Sequence, residues 1–303
     1  MLETELAGIK LRNPTILASG IMGVSGASLS LVAKNGAGAV TSKSISLEPR
    51  KGHPNPVIIT YGQGMMNAVG LSNAGVKESL QEIEYAVKNA SVPVIASAVE
   101  FKAENFGTLA KELSKANPAL IELNISCPNV SHEFGKPFSH DPAAAEWVTR
   151  SAKRNTGIPV FAKLSPNTPD LLEVANAVKS AGADGITAIN TAGPGMQIDI
   201  FARKPILSNK CGGVSGPSIR PIAVRCVYEI YRETRLPIIG TGGVLSGKDA
   251  IEMIMAGASA VGIGSGVYYR GLDIFGKVCA EMQEFMEKEG FSSIKEMRGI
   301  AHE

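Results

Sequence analysis

The side chains best suited to chemistry stand where short apolar runs give way to turns. Glu122-Leu123-Asn124-Ile125-Ser126-Cys127-Pro128-Asn129 ends one such run, and Pro128 forces the chain off a strand directly after Cys127. A thiol so placed can act as a nucleophile or a base when its neighbours lower its pKa. It can equally be an inert packed cysteine, and the residues alone leave both readings open. Lys43 in Thr41-Ser42-Lys43-Ser44 and Lys163 in Phe161-Ala162-Lys163-Leu164 stand at two further run ends. Lysine is seldom buried unpaired, so two at interior-facing strand ends point to a bound anion rather than to surface charge. Asn67, Asn73 and Asn190-Thr191 add amide and hydroxyl groups suited to an imide or amide ligand. The four histidines, His53, His132, His140 and His302, have no metal-ligand spacing and read as loop or terminal residues; His132 and His140 follow Cys127 closely enough for a part in lid movement.

The last two apolar runs end in glycine: Gly240-Thr241-Gly242-Gly243 and Gly262-Ile263-Gly264-Ser265-Gly266. Glycine there lets backbone N–H groups approach phosphate oxygens, and a helix N-terminus behind it adds a favourable dipole. One pair would be no more than a turn. Two pairs at consecutive run ends favour a phosphate site.

These groups need a scaffold, and the chain supplies a repeating alternation. Apolar, β-rich runs fall at 15–18, 39–42, 92–98, 119–125, 158–164, 185–190, 236–240 and 260–263, each bounded by turn residues. Such runs read as strands buried on both faces, as in a parallel sheet. Amphipathic segments separate them at 77–89, 103–116, 143–154, 170–180, 219–234 and 248–255. Asp141-Pro142 and Thr168-Pro169 each place a capping side chain before a proline suited to the first helical position. Ser246-Gly247-Lys248-Asp249 approximates a capping box. Gly182 and Gly257 stop helices just before strands.

About eight strand–helix units over 303 residues predict a (β/α)₈ barrel, with a doubly wound sheet as the alternative. No linker or composition shift divides the chain, so 1–303 reads as a single domain. The opening residues, Leu6-Ala7-Gly8-Ile9-Lys10-Leu11, read as a small hairpin before the barrel. Two βα connections, 44–76 and 191–217, are long enough to be functional, and in a barrel both fall on the catalytic C-terminal face.

Composition narrows the function classes. With 44% hydrophobic residues the chain can bury a large core, and a net charge of +2 gives no electrostatic reason to expect nucleic acid or a membrane surface as partner. Met1-Leu2-Glu3-Thr4-Glu5 lacks the basic and apolar parts of a signal peptide, and the apolar stretch 250–267 is too interrupted by glycine and Glu252 to span a bilayer. Cys127, Cys211, Cys226 and Cys279 include no Cys-x-x-Cys pair, which argues against a metal site, an iron–sulfur cluster or a disulfide framework on this chain. Reduced thiols and a cytoplasmic location are expected.

Taken in order, the motifs resemble the dihydroorotate dehydrogenase family over nearly the whole chain. The matching stretches are Ala18-Ser19-Gly20, Thr41-Ser42-Lys43-Ser44, Asn67-Ala68-Val69-Gly70-Leu71-Ser72-Asn73, Asn124-Ile125-Ser126-Cys127-Pro128-Asn129 and Ala162-Lys163-Leu164. Beyond them stand Ile189-Asn190-Thr191, Gly212-Gly213-Val214-Ser215-Gly216-Pro217, Gly240-Thr241-Gly242-Gly243 and Gly264-Ser265. Each is weak alone; their order and spacing are specific.

The resemblance implies FMN as the phosphate-bearing cofactor. By carry-over, Gly242, Gly243, Gly264 and Ser265 hold its phosphate, and Ser19, Lys43, Ser44, Asn124, Lys163, Ile189, Ser215 and Gly216 line the remainder. Dihydroorotate then rests against Lys43, Asn67, Ala68, Val69, Gly70, Leu71, Asn124, Asn129, Asn190 and Thr191. Cys127 is implied as the base that removes the C5 proton while a hydride passes from C6 to N5 of the flavin, yielding orotate for UMP synthesis. Relatives that use a membrane quinone carry serine at this position and an N-terminal extension, so this chain is similar to the class 1 enzymes. The lid Val130-Ser131-His132-Glu133-Phe134-Gly135-Lys136 and the segment from Lys204-Pro205 to Pro217 are closest to the NAD-linked subtype. That subtype implies a homodimeric core joined to a second subunit carrying FAD and a [2Fe–2S] cluster, a heterotetramer. Val69 and Ser72 depart from the commoner methionine and proline and leave the implied catalytic groups in place; Gly264-Ser265-Gly266 departs modestly from the commoner turn.

Other readings are a fumarate-linked homodimer, or another FMN barrel such as a dihydropyrimidine reductase domain, which Asn129 disfavours. A tRNA dihydrouridine synthase would need a basic surface and an RNA-binding extension. A phosphate-sugar isomerase or lyase on the same barrel would leave the purified protein colourless. So would a non-catalytic binding protein, in which Lys43, Cys127 and Lys163 would have no reason to converge.

Overall fold

The computed structural model describes residues 1–126 and 137–303. Cys127, Asn129, the expected lid and His132 therefore lie outside the described residues. In chain order the strands open with a hairpin, β1 (Thr4–Leu6) and β2 (Ile9–Leu11), followed by β3 (Thr15–Leu17) and β4 (Ala39–Thr41). A second hairpin follows, β5 (Ile58–Tyr61) and β6 (Gly64–Asn67). Then come β7 (Val94–Ala98), β8 (Leu120–Asn124), β9 (Val160–Leu164) and β10 (Gly185–Ala188). Four short strands, β11 (Ala192–Gly195), β12 (Ile198–Asp199), β13 (Lys204–Pro205) and β14 (Gly212–Ser215), precede β15 (Ile238–Thr241) and β16 (Ala260–Ile263).

Eight of these, in the order β10-β15-β16-β3-β4-β7-β8-β9, form a closed parallel barrel. Pairing of β16 with β3, Val261 beside Thr15, is what closes it and excludes the doubly wound sheet. All eight expected strands are barrel strands, each within two residues of its expected bounds. Around them lie α1 (Gly26–Lys34), α2 (Val76–Asn89), α3 (Ala103–Ser114), α4 (Pro142–Asn155), α5 (Leu171–Ser180), α6 (Arg220–Thr234), α7 (Gly247–Met255), α8 (Gly266–Arg270), α9 (Ile274–Glu289) and α10 (Ile294–Met297).

Local signals explain several of the boundaries. Asp141 caps α4 by accepting from the amides of Ala143 and Ala144, with Pro142 in the first turn. Ser246 and Asp249 form the full capping box of α7. Thr168-Pro169 does not start a helix as expected. Thr168 Oγ1 instead accepts from Asp170 N at 3.1 Å, which holds a turn that delays α5 to Leu171.

The barrel interior is layered. Ile16, Ala39, Ile95, Leu120, Phe161, Ile239 and Ala260, one from each of seven strands, form an apolar cluster closed from below by Leu6 and Leu11 of the hairpin. The eighth strand contributes Gly185, and the Phe161 ring fills the space its side chain would take; a Cβ there would lie 2.2 Å from the ring. Strand alternation places the next inward residues two positions on: Thr41, Ser97, Glu122, Lys163, Thr187 and Thr241. The interior is thus apolar at the bottom and polar toward the C-terminal mouth. Phe161→Ala is expected to lower unfolding stability by about 3–5 kcal/mol, read as a lower urea midpoint at an unchanged denaturant slope.

Candidate active site

The two long connections meet over the barrel mouth. The first carries β5 and β6, the second β11 and β14, and they pair as one antiparallel sheet, β11-β14-β6-β5. Gly213, Val214 and Ser215 stand opposite Asn67, Met66 and Met65. A single cavity lies between this sheet and the C-terminal ends of the barrel strands.

Every described residue of the implied cofactor and substrate sets lines that cavity. From the expected cofactor set these are Ser19, Lys43, Ser44, Asn124, Lys163, Ile189, Ser215, Gly216, Gly242, Gly243, Gly264 and Ser265. From the expected substrate set Asn67, Ala68, Val69, Gly70, Leu71, Asn190 and Thr191 join them. Ile21, Ile58, Met65, Ile219 and Thr241 also line it and were not singled out as site residues. Their apolar or small side chains carry no chemical signature, so only the fold reveals them.

A connected set of short side chains holds the floor. Ser44 Oγ lies 2.9 Å from Ser97 Oγ and accepts from Asn124 Nδ2 at 3.0 Å. Asn124 Oδ1 in turn accepts from Ser126 Oγ at 3.0 Å and from Asn190 Nδ2 at 3.3 Å, and Asn190 also donates to Ser126 Oγ at 2.7 Å. Ser19 Oγ donates to the Ser42 carbonyl at 2.9 Å. Asn167, absent from the sequence expectations, pins the second connection: its amide donates to Thr191 O at 3.1 Å and accepts from Gly193 N at 2.9 Å.

Two cations face this floor. Lys163 is buried and pairs with buried Glu122 at 3.5 Å. Lys43 is half-buried and donates to Ser72 Oγ at 3.1 Å, and burial pushes its pKa below the ordinary lysine value. Ser72 thus gives the lysine a fixed hydrogen-bonding partner in the first connection.

One expectation is corrected. Asn73 was read as an amide available to a ligand, but it does not line the cavity. Its carbonyl accepts from Ser46 N at 3.2 Å and Gly75 N at 2.9 Å, and its NH₂ donates to Leu71 O at 2.9 Å. All its capacity goes into folding the loop that carries Gly70 and Leu71.

The chain is similar in sequence to known proteins. A family model described as dihydroorotate dehydrogenase matches residues 1–286. The chain is 49% identical over 306 residues to the protein of Methanocaldococcus jannaschii named dihydroorotate dehydrogenase B (NAD(+)), catalytic subunit, covering 100% of this chain and 99% of that one. Proteins of the same name from Methanothermobacter thermautotrophicus and Pyrococcus furiosus are each 44% identical, with 100% and 99% of this chain and 99% and 98% of theirs covered.

Proposed function

The chain belongs to the dihydroorotate dehydrogenase family of oxidoreductases, and from that premise we propose that it oxidises dihydroorotate to orotate with FMN in the cavity between barrel and sheet. The observation that carries this reading is the convergence, on one cavity, of every described residue implied to hold cofactor or substrate.

The cavity suits the cofactor. Gly264 stands where an added Cβ would meet nothing nearer than Ala18 Cβ at 3.6 Å, so the missing side chain leaves room in the cavity wall. Thr241 lines the same wall with a buried hydroxyl that has no hydrogen-bond partner among the described residues. Backbone at Gly242, Gly243, Gly264 and Ser265 would hold the phosphate. Ser19, Ser44, Asn124, Lys163, Ile189, Ser215 and Gly216 would hold the ring system and ribityl chain. Bound there, FMN supplies the acceptor for the hydride from C6 of dihydroorotate.

The protein's own groups do the rest. Asn67, Asn190 and Thr191 orient the amide and imide edges of the substrate, with Lys43 drawn to its carboxylate and Ala68, Val69, Gly70 and Leu71 forming the wall behind it. Asn129 joins this set. Cys127, the residue that follows Ser126 in the sequence, takes the C5 proton as the base.

The relatives are named as NAD(+)-linked catalytic subunits, which favours the NAD-linked reading over the fumarate-linked homodimer. Electrons then leave through a partner subunit bearing FAD and a [2Fe–2S] cluster to NAD, in a cytoplasmic heterotetramer. No helix among the described residues is long and apolar enough to cross a membrane.

An anaerobic visible spectrum tests the proposal. The purified chain should be yellow, or become so with added FMN, and bleach on addition of dihydroorotate. A yellow protein that dihydroorotate leaves unbleached would retain the flavin and remove the substrate.

A further inference from the structure

Glu122 is the one charged side chain in the polar layer of the barrel that neither the implied site sets nor the proposed chemistry employs. It is 3% exposed, and Lys163 beside it is 5% exposed. Its Oε1 accepts from Lys163 Nζ at 3.5 Å and from Ser97 Oγ at 3.3 Å, while Oε2 accepts from Thr187 Oγ1 at 3.0 Å. Ser97 passes the contact on to Ser44, and Ser44 to Asn124, both on the cavity floor. One carboxyl group therefore ties three barrel strands, through β7, β9 and β10, to the cation facing the cavity.

Such a group is not there for stability alone. A buried ion pair loses much of its attraction to desolvation, and apolar residues of similar volume commonly serve a core as well or better. Directly below, the same barrel is filled with Leu120, Phe161 and Ile239. What the carboxyl group adds is a fixed negative charge and a fixed direction for the Lys163 ammonium.

We propose that Glu122 is a positioning residue that aims Lys163 at the flavin ring and offsets its charge, and so sets the reduction potential of the bound cofactor. The inference rests on the cavity being the FMN site. A cation beside the ring favours the reduced cofactor, which carries more negative charge. Glu122 opposes that preference by partial neutralisation. Its removal leaves Lys163 with its full charge and raises the potential.

The test is the midpoint potential of the FMN-loaded protein, by anaerobic dye equilibration, in the wild type and in Glu122→Gln. The glutamine keeps the shape and most hydrogen bonds but loses the charge. Expected is at least a tenfold rise in the affinity for reduced over oxidised flavin, which for a two-electron couple is about +30 mV. The dissociation constant for oxidised FMN, measured by fluorescence quenching, should change only a few-fold. In a Lys163→Gln background the shift caused by Glu122→Gln should vanish, since Glu122 acts through that lysine. Glu122→Asp retains the charge but withdraws it by one methylene, and should shift the potential in the same direction by less; it decides the matter if the glutamine variant does not fold. A lowered melting temperature with an unchanged potential would make Glu122 purely structural and overturn the proposal. A wild-type protein that binds no FMN would instead defeat the flavin reading on which it rests.

Discussion

Replacement of Cys127 by alanine is expected to leave a yellow protein that dihydroorotate scarcely bleaches. A positioned general base contributes about 10²–10⁴ in rate, and the loss should fall in that range in kcat for flavin reduction. The residues that would hold the cofactor, from Ser19 to Ser265 around the cavity, are untouched, so FMN content should match the wild type. Serine in place of Cys127 should recover part of the rate only at higher pH, because its hydroxyl is a poorer base near neutrality. Stopped-flow reduction under anaerobic conditions separates this from any effect on the later electron acceptor. A wild-type rate of reduction in the alanine variant at neutral pH would remove Cys127 from the chemistry.

Gly243→Val should yield a protein that cannot hold FMN. Gly243 has φ +76°, and a Cβ on it would lie 2.7 Å from Arg220 Cβ and 2.9 Å from the Gly216 carbonyl. The left-handed backbone alone costs a side-chain-bearing residue about 1–2 kcal/mol. Neither neighbour yields easily: Gly216 O is backbone, and Arg220 is held by the Asp249 carboxylate, which also accepts from Leu245 N and Ser246 N at 2.9 Å each. The loop must therefore move, and the proposed phosphate site with it. Gly264→Ala is the companion experiment, because its Cβ meets no protein atom closer than 3.6 Å. It should fold as the wild type does yet bind FMN at least tenfold more weakly. Undiminished FMN affinity in Gly264→Ala would show that the cofactor's phosphate lies elsewhere.

The barrel was legible because a strand buried on both faces must be apolar almost throughout. Runs such as Val94–Ala98 and Leu120–Asn124 therefore stand out from their polar surroundings. The segment Gly26–Lys34 does not read as a helix, since glycine and two serines blur its periodicity; its start is nonetheless fixed by a capping box between Ser25 and Ser28. Pairing between the two connections was also hidden. β14 reads Gly212-Gly213-Val214-Ser215, with little side-chain pattern, and it meets β6 of the first connection only through the fold. The expected site residues came from the match of the motifs to a known family, and the structure brings the described ones together around one cavity. Glu122 went unread for the opposite reason. It is a single acidic residue within an apolar run, and nothing in its flanks says that it faces Lys163 on the next strand.

Closure of the ring has a bearing on the order in which the molecule assembles. The last seam joins Val261 to Thr15 and Ile263 to Leu17, and Thr4 Oγ1 reaches Ser259 O across 255 positions of sequence. Contacts so remote along the chain are slow to form, because a long loop must be closed before they contribute. Ser19 lies just past one side of that seam, and Gly264 and Ser265 just past the other. The proposed cofactor site is thus split between the first and last strands to meet and is completed only when they do. A ligand that binds only the closed ring stabilises it by mass action. The flavin would then act as a clasp on the youngest joint of the barrel, and the quenching of its fluorescence during refolding would time that joint.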